Sequence, residues 1–498
     1  MKNNFKNAIY NGIGFIVPIL IALFTTPYIV HKLGTDLYGI YVLCISIIGF
    51  MSFFDLGFGT GIIKFVSQYE AKGDFEKINK IVNTALVVNT FMGLLGAIVI
   101  FLFADYLAVH LFKVKIENQY ISEIAFKITA IGFLIVLLNG VFSNIPKALQ
   151  RYDVATKIQT SIWIVSTLST VIILYLGFSL KEVFLLWIFF QILGLIAYYY
   201  TSKLLLPSLN INFIFSIEVF KEIFGFSMFT AMNSITGNIV FRVDKMIVGA
   251  ILGASFVTYY QVSFMIVQMA NGFISAISQH LFPLFSKLNS FQDVNKIKNL
   301  FLNSTSFILV LSLIINTLLL INGTIFLVKW MGQDFANNSG LVLPILSSAF
   351  FLMSIGATMV RLADGLGFPQ LNTLSSTVGS FLYIFSAIIL SHLYQLNGVA
   401  LSFWFVLAPY PLYIYKICKI IDLKQGIIYK IYLKLALIIT ALLFGFILQK
   451  TFIPDLEVKY LTKMVDSFIA IILIFILSIS LKILDWYELK KFLSKINI

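Results

Sequence analysis

The sequence predicts an all-α polytopic membrane protein of about 14 transmembrane helices, and three observations predict it. Charged residues make up 11% of the 498-residue chain, against roughly 25% in a soluble protein, so the polar surface that water requires is missing. Mean hydropathy is +0.96. Apolar stretches of 18 or more residues recur along the chain. They are long enough for helices across about 30 Å of hydrocarbon, and too long and too little alternating for the strands of a barrel.

A hydropathy window of about 19 residues places the spans in order. The first, 8–30, carries Asn7 and Asn11 at its start and holds Pro18 and Pro27, which can kink it. Next come 39–63, 81–104, 124–145, 158–177 and 183–206. The seventh, 223–241, is the least sharply bounded, because Met246–Leu252 is apolar again and can extend it. The rest are 256–285, 300–322, 340–360, 371–391, 397–417, 431–449 and 466–484.

Loop charge sets the orientation. With the N-terminus inside, the inner segments hold 24 Lys and Arg and the outer ones 10. The excess marks the cytoplasmic side, so both termini are expected there. The net charge of +13 then reflects topology and contact with anionic membrane lipids. Nucleic acid is not expected as a partner, because no soluble basic face gathers these charges. No loop exceeds about 20 residues, which leaves no room for a soluble catalytic domain, and no P-loop pattern is present. Cys44 and Cys418 both lie in apolar stretches, and the four histidines are scattered. These patterns predict no catalytic centre, no metal site and no cofactor. Met1–Lys6 opens into an apolar segment with no cleavage site, so no signal peptide is expected.

Residues 33–81 align without a gap on 252–300, with 9 identities in 49 positions. Leu33-Gly34 meets Leu252-Gly253, Tyr41 meets Tyr260, Asp74 meets Asp293, and Lys77-Ile78 meets Lys296-Ile297. An even number of spans separates the copies, so the repeat is parallel. It divides the chain into an N-lobe over 1–206 (spans 1–6), a cytoplasmic linker over 207–222 and a C-lobe over 223–420 (spans 7–12). Residues 421–498 add spans 13 and 14 and a tail.

Two such lobes leave a cleft, and polar residues at helical spacing are the candidates to line it. In span 7, Thr230, Ser234, Asn238 and Arg242 lie four apart, flanked by Asn233 and Asp244. Span 8 sets Gln261 and Gln268 seven apart. Singly, such residues mostly hydrogen-bond a neighbouring helix; a row of four ending in arginine favours a cavity. Arg242, Asp244 and Lys245 can equally form an ion-pair cluster at the outer interface. Asp55, Lys64, Arg151, Arg361 and Asp364 are candidates for coupling or gating, against plainer readings as helix-end, positive-inside or inner-loop charges.

These residues resemble a known family. Leu33-Gly-Thr-Asp-Leu-Tyr-Gly39 looks like the outer turn of polysaccharide-repeat flippases, members of the multidrug/oligosaccharidyl-lipid/polysaccharide exporter superfamily. Phe54-Asp-Leu-Gly-Phe-Gly-Thr60 with Lys64 and Gly73-Asp74 resembles the end of their second helix, and Ala148-Leu-Gln-Arg151 the exit of their fourth. Arg242-Val-Asp-Lys-Met-Ile-Val-Gly249 is similar to the end of their seventh. The resemblance implies two parallel six-helix lobes in a V plus two C-terminal helices. It also implies transport of an undecaprenyl-diphosphate-linked oligosaccharide across the bacterial plasma (inner) membrane, by alternating access coupled to H+ or Na+. The pathway's polysaccharide polymerase and glycosyltransferases are the implied protein partners. Lipid II flippases of the same superfamily carry arginines in their first helix. Here that helix has Asn7 and Asn11 instead, which leaves Arg242 as the main cationic candidate for a diphosphate.

Two other functions compete. A cation-coupled multidrug exporter has twelve spans and acidic cavity residues, whereas this chain has two more spans and an arginine. A membrane glycosyltransferase or polymerase needs a large outer loop or clustered acid and base residues, which the sequence lacks.

Overall fold

The structure, a computed structural model, describes the backbone of residues 2–452 and 459–483, and the side chains of 17–51, 53–227, 241–440, 463 and 466–483. Two compact units divide the chain, Met1–Gln261 and Val262–Ile498. The first contains α1 (Lys2–Phe50), α2 (Phe58–Glu70), α3 (Phe75–Leu102), the short α4 (Ala104–Tyr106), α5 (Ile116–Ala148), α6 (Tyr152–Tyr175), α7 (Leu180–Leu205), α8 (Ile217–Leu252) and the first turns of α9 (Ala254–Gln279). The second continues α9 and adds α10 (Leu281–Ser290), α11 (Val294–Met331), α12 (Gln333–Ser339), α13 (Val342–Gly365), α14 (Pro369–Ser402), α15 (Tyr410–Ile420), α16 (Gln425–Phe452) and α17 (Lys459–Ser480). Among the described residues every regular element is a helix, and nine helical stretches are long and apolar enough to cross a membrane. Large apolar side chains stand exposed along them, such as Val165, Leu168 and Ile172 on α6 and Phe381, Phe385 and Ile388 on α14. In water such belts would be a liability; against acyl chains they are the outer surface. The all-α polytopic membrane fold expected from composition is the fold observed.

Several spans differ in detail from the hydropathy reading. No loop separates the first two, because α1 runs through 31–38 with a single kink at Gly34 (φ 76, ψ 166), a conformation that costs a residue with a Cβ. The second span is then interrupted. A 3-10 turn over Met51–Asp55 and left-handed Leu56 and Gly57 separate α1 from α2. Such a break inside hydrocarbon needs a local acceptor for the freed amides. Asp55 supplies it: its Oδ2 accepts the Gly59 N–H at 3.0 Å. The twelfth span breaks similarly at the 3-10 turn Phe403–Leu407 and Pro409. Hydropathy is averaged over about 19 residues, so breaks of five residues are invisible to it.

The internal repeat reappears in the backbone. Gly253 adopts φ 104, ψ 168, close to its aligned partner Gly34. Asp74 (φ −89, ψ 77) and Asp293 (φ −87, ψ 77) each cap a helix by accepting the amide of the lysine three residues on, at 2.9 and 3.0 Å. The Lys296 side chain and then its amide hold the half-buried Asp293 carboxyl below the usual carboxylate range. One turn type also recurs. After α2, α5, α6, α13 and α15, an amide returns to the carbonyl five residues earlier, as in Arg151 N to Pro146 O at 2.8 Å and Phe368 N to Ala363 O at 2.8 Å, the Schellman closure of a helix.

In the first unit α2, α3, α5 and α8 bury Phe58, Ile62, Val66, Ile81, Val82, Ile145 and Ile223 in one core. In the second, α11, α13, α15 and α17 share a core that includes Phe301, Leu309, Leu362, Ile417 and Ile474. There α17 is also tied by polar contact, the Asn322 amide donating to Ser467 Oγ at 2.7 Å.

The chain between α7 and α8 has few bonds of its own and is held by two asparagines one turn apart on α3. Asn79 donates to Ser208 O at 2.9 Å and accepts from Asn210 N at 2.7 Å. Buried Asn83 donates to Asn210 O at 2.7 Å and accepts from the amides of Asn212 and Phe213 at 2.7 and 2.9 Å. Asn83→Ala removes three hydrogen bonds to the exposed segment 210–213, each worth about 0.5–1.5 kcal/mol net. It should lower unfolding stability by about 1–3 kcal/mol and open 206–216 to protease. Denaturation in detergent and limited proteolysis of the same sample check both.

Candidate functional site

The span-7 row lies on α8, which is helical from Ile217 to Leu252. The side chains of Thr230, Asn233, Ser234 and Asn238 fall outside the described residues, as do those of Asn7 and Asn11. Arg242 is described, half-buried against α1. Its guanidinium lies over Gly49, where a Cβ would stand 2.7 Å from Nε; glycine at 49 is what lets the arginine lie down on α1. Two residues on, Asp244 and Lys245 are buried and joined by an ion pair of 2.7 Å. Lys245 Nζ also donates to Phe241 O at 3.1 Å, and the Lys245 amide donates to Asp244 Oδ1 at 2.8 Å. The acid is thus neutralised by its neighbour, and the triplet as a whole carries one net positive charge.

Towards the other end of this stretch of α1, the turns at Gly34 and Gly253 of the two repeat copies meet. Buried Asp36 accepts from Ser255 Oγ and, at 3.3 Å, from Asn118 Nδ2, with Lys115 Nζ 4.0 Å away. Thr258 Oγ1 donates to Thr35 O at 2.5 Å. Gly39 ends the motif because nothing larger fits: a Cβ there would lie 1.9 Å from Ala254 O.

The remaining candidates are dispersed. Asp55 caps α2. Lys64 stacks over the Phe226 ring at 3.7 Å. Arg151 pairs with Asp153 through two hydrogen bonds of 3.0 and 3.3 Å, both groups exposed. In the second unit Asp364 accepts from Asn372 Nδ2 at 2.7 Å, Asn372 Oδ1 in turn accepts from Tyr413 OH, and Arg361 one turn earlier keeps Nε buried without a hydrogen-bond partner. Gln261 closes the first unit with Oε1 buried and unpartnered, whereas Gln268 is exposed in the second. No group of three His, Cys, Asp or Glu could hold a metal ion among the described residues.

The sequence reading missed one site. Within the first unit, α5, α6 and α7 line an open-sided cavity of about 340 Å³. Asn139, Gly140, Ser143 and Lys147 line it from α5, Gln159, Trp163 and Ser166 from α6, and Trp187, Gln191 and Gly194 from α7. Asn139 donates to Gln191 O at 3.0 Å, while its own Oδ1 is buried without a partner. The signal existed: Asn139, Ser143 and Lys147 repeat every fourth residue, as the span-7 row does.

The sequence pattern of the polysaccharide biosynthesis protein family matches residues 5–289. The chain belongs to that family. A Shigella flexneri protein that carries the name of an O-antigen transporter is 24% identical over 403 residues, covering 80% of this chain and 93% of its own. Among solved structures, the lipid II flippase MurJ in an inward closed conformation superposes with a TM-score of 0.73 at 15% identity, over 95% of this chain and 99% of MurJ. An inward-facing multidrug resistance transporter of the MATE family gives 0.70 at 14% identity, over 80% and 95%. At such identities the likeness is one of fold, and this family member has the MATE and MurJ fold.

Buried Asp244 should matter to this family member's stability through its lysine. Asp244→Ala strands a buried ammonium and should cost about 3–5 kcal/mol. The double change Asp244→Leu with Lys245→Met should recover most of the loss. Thermal unfolding of the three proteins in detergent separates a structural pair from a cavity pair.

Proposed function

We propose that this multi-pass membrane transporter, which is not an enzyme, flips undecaprenyl-diphosphate-linked oligosaccharide repeat units from the inner to the outer leaflet of the bacterial plasma membrane. It would serve surface polysaccharide biosynthesis, with both termini in the cytoplasm and the pathway's polymerase and glycosyltransferases as partners. One coincidence carries the reading: membership of a polysaccharide biosynthesis family in a fold shared, almost end to end, with a lipid flippase. Arg242 supplies matching chemistry, since a guanidinium fork suits diphosphate oxygens in a bidentate way that an ammonium does not. The bodies that move are the two lobes of the repeat, and the contact of Asp36 with Ser255 is where their outer turns would part. Half-buried Asp55 and Asp364 are the carboxylates placed to take up a coupling proton or sodium ion. A multidrug exporter shares the fold, but buried Asp244, neutralised by Lys245, offers a cationic drug no free charge.

Arg242→Ala should reduce polysaccharide export at least about tenfold, the scale of a lost hydrogen bond to a charged group, with membrane insertion unchanged. Arg242→Lys should restore part of it. Surface polysaccharide, quantified in cells whose only copy is the variant, is the readout; export by Arg242→Ala at the wild-type level would remove the arginine from the mechanism.

Alternating access predicts a second outcome. Cysteines at 36 and 255, joined by a short bifunctional thiol reagent in a Cys44- and Cys418-free protein, should stop export, and reduction of a cleavable linker should restore it. Undiminished export by the cross-linked protein would show that this junction stays closed during transport.

A further inference from the structure

The cavity between α5, α6 and α7 lies outside everything the proposed mechanism uses, and its lining is unusual for a membrane span. Polar side chains in apolar helices persist where they find a partner or a polar ligand. Here three stripes converge. Asn139, Ser143 and Lys147 stand at intervals of four on α5, Gln159 and Ser166 seven apart on α6, and Gln191 on α7 faces them. Two indoles, Trp163 and Trp187, flank the polar groups. Trp187 approaches α5 closely because Gly132 has no side chain: a Cβ there would come within 2.1 Å of its ring. At Gly140, by contrast, a Cβ would meet nothing within 4 Å, so that glycine keeps space open and not a close contact.

The lining selects a chemical class. No acidic side chain is in it, which leaves an organic cation without a counter-charge. A single lysine, its Nζ already donating to Asn144 Oδ1 at 3.1 Å, is a weak cradle for a diphosphate. A prenyl chain would bury the amides against hydrocarbon, each left unpaired at a cost of about 1–3 kcal/mol. A pyranose ring meets all the terms: hydroxyls that both donate and accept for the amides and for the unpartnered Asn139 Oδ1, and an axial C–H face for an indole. The volume lies at the small end of ligand sites, about 300–1,000 Å³. We propose that this cavity is a carbohydrate subsite that binds one sugar ring of the transported oligosaccharide, apart from the site of its diphosphate; the inference rests on the flippase reading above.

The test uses full-length protein in nanodiscs with Trp330, Trp404 and Trp486 changed to Phe, so that Trp163 and Trp187 are the remaining indoles. The probe is the glycan-bearing polyprenyl-diphosphate fraction purified from the membranes of the host cell, with undecaprenyl diphosphate and phosphatidylglycerol as sugar-free controls. Tryptophan emission should shift with the glycan-bearing lipid and stay unchanged with both controls. Gly140→Leu, which fills open space without a clash at Cβ, should weaken the apparent affinity about tenfold. Gln191→Ala should weaken it about fivefold by removing a hydrogen-bonding group. Equal responses to the controls would make the cavity a lipid-headgroup site and overturn the proposal. Wild-type binding and export by both variants would overturn it while leaving the flippase intact. If the unmodified protein neither binds the glycan-bearing lipid nor exports polysaccharide, the functional reading fails and this inference falls with it.

Discussion

In hydrocarbon no water is available to a stray amide or carbonyl, so every backbone polar group must find its partner inside the chain. The rest of the structure depends on that constraint. It explains why the described elements are all helices, and why the break between α1 and α2 carries its own acceptor. The interruption between α1 and α2 is capped by Asp55, and the helix ends after α2, α5, α6, α13 and α15 close on themselves through the same five-residue return. Outside the spans, between α7 and α8, Asn79 and Asn83 hold the irregular chain with four side-chain amide atoms.

With the backbone satisfied, side-chain size decides which helices approach closely. The glycines at 39, 49 and 132 each face an atom that a Cβ would displace or clash with, respectively a carbonyl, a guanidinium and an indole. The three contacts set, in turn, the approach of α1 to Ala254, the seat of Arg242 on α1 and the position of Trp187 beside α5. Gly140 does the opposite and preserves volume. Residues with one composition therefore play two roles, and only the neighbours distinguish them.

Charge is arranged with the same economy. Asp244 and Lys245 neutralise each other in a buried pair, Arg151 and Asp153 do so at the surface, and Asp36 is surrounded by hydroxyl and amide donors. Arg242 stands out as a guanidinium supported on α1, beside an acid already committed to a lysine.

The sequence by itself determined what depends on local composition. Low charge and long apolar runs sufficed for the membrane fold, because solvent choice follows from summed transfer free energy and not from who packs on whom. The repeat at Gly34/Gly253 and Asp74/Asp293 was legible because φ > 0 and helix capping restrict residue type at a single position. The motif from Leu33 to Gly39 pointed to the family for the same reason. Tertiary structure alone decided the rest. Asp244 and Lys245, adjacent in sequence and grouped there with the cavity residues, prove to be a buried pair, since burial depends on α1 and α9 packing around them. The 3-10 breaks at Met51–Asp55 and Phe403–Leu407 did not divide the spans in a hydropathy average over about 19 residues, since five residues, one of them charged in the first, are outweighed by their apolar flanks. The cavity of α5, α6 and α7 needed three stripes from three helices to converge. Each stripe alone has the spacing of ordinary helix packing, and a concave site exists only once long-range contacts bring them to face one another.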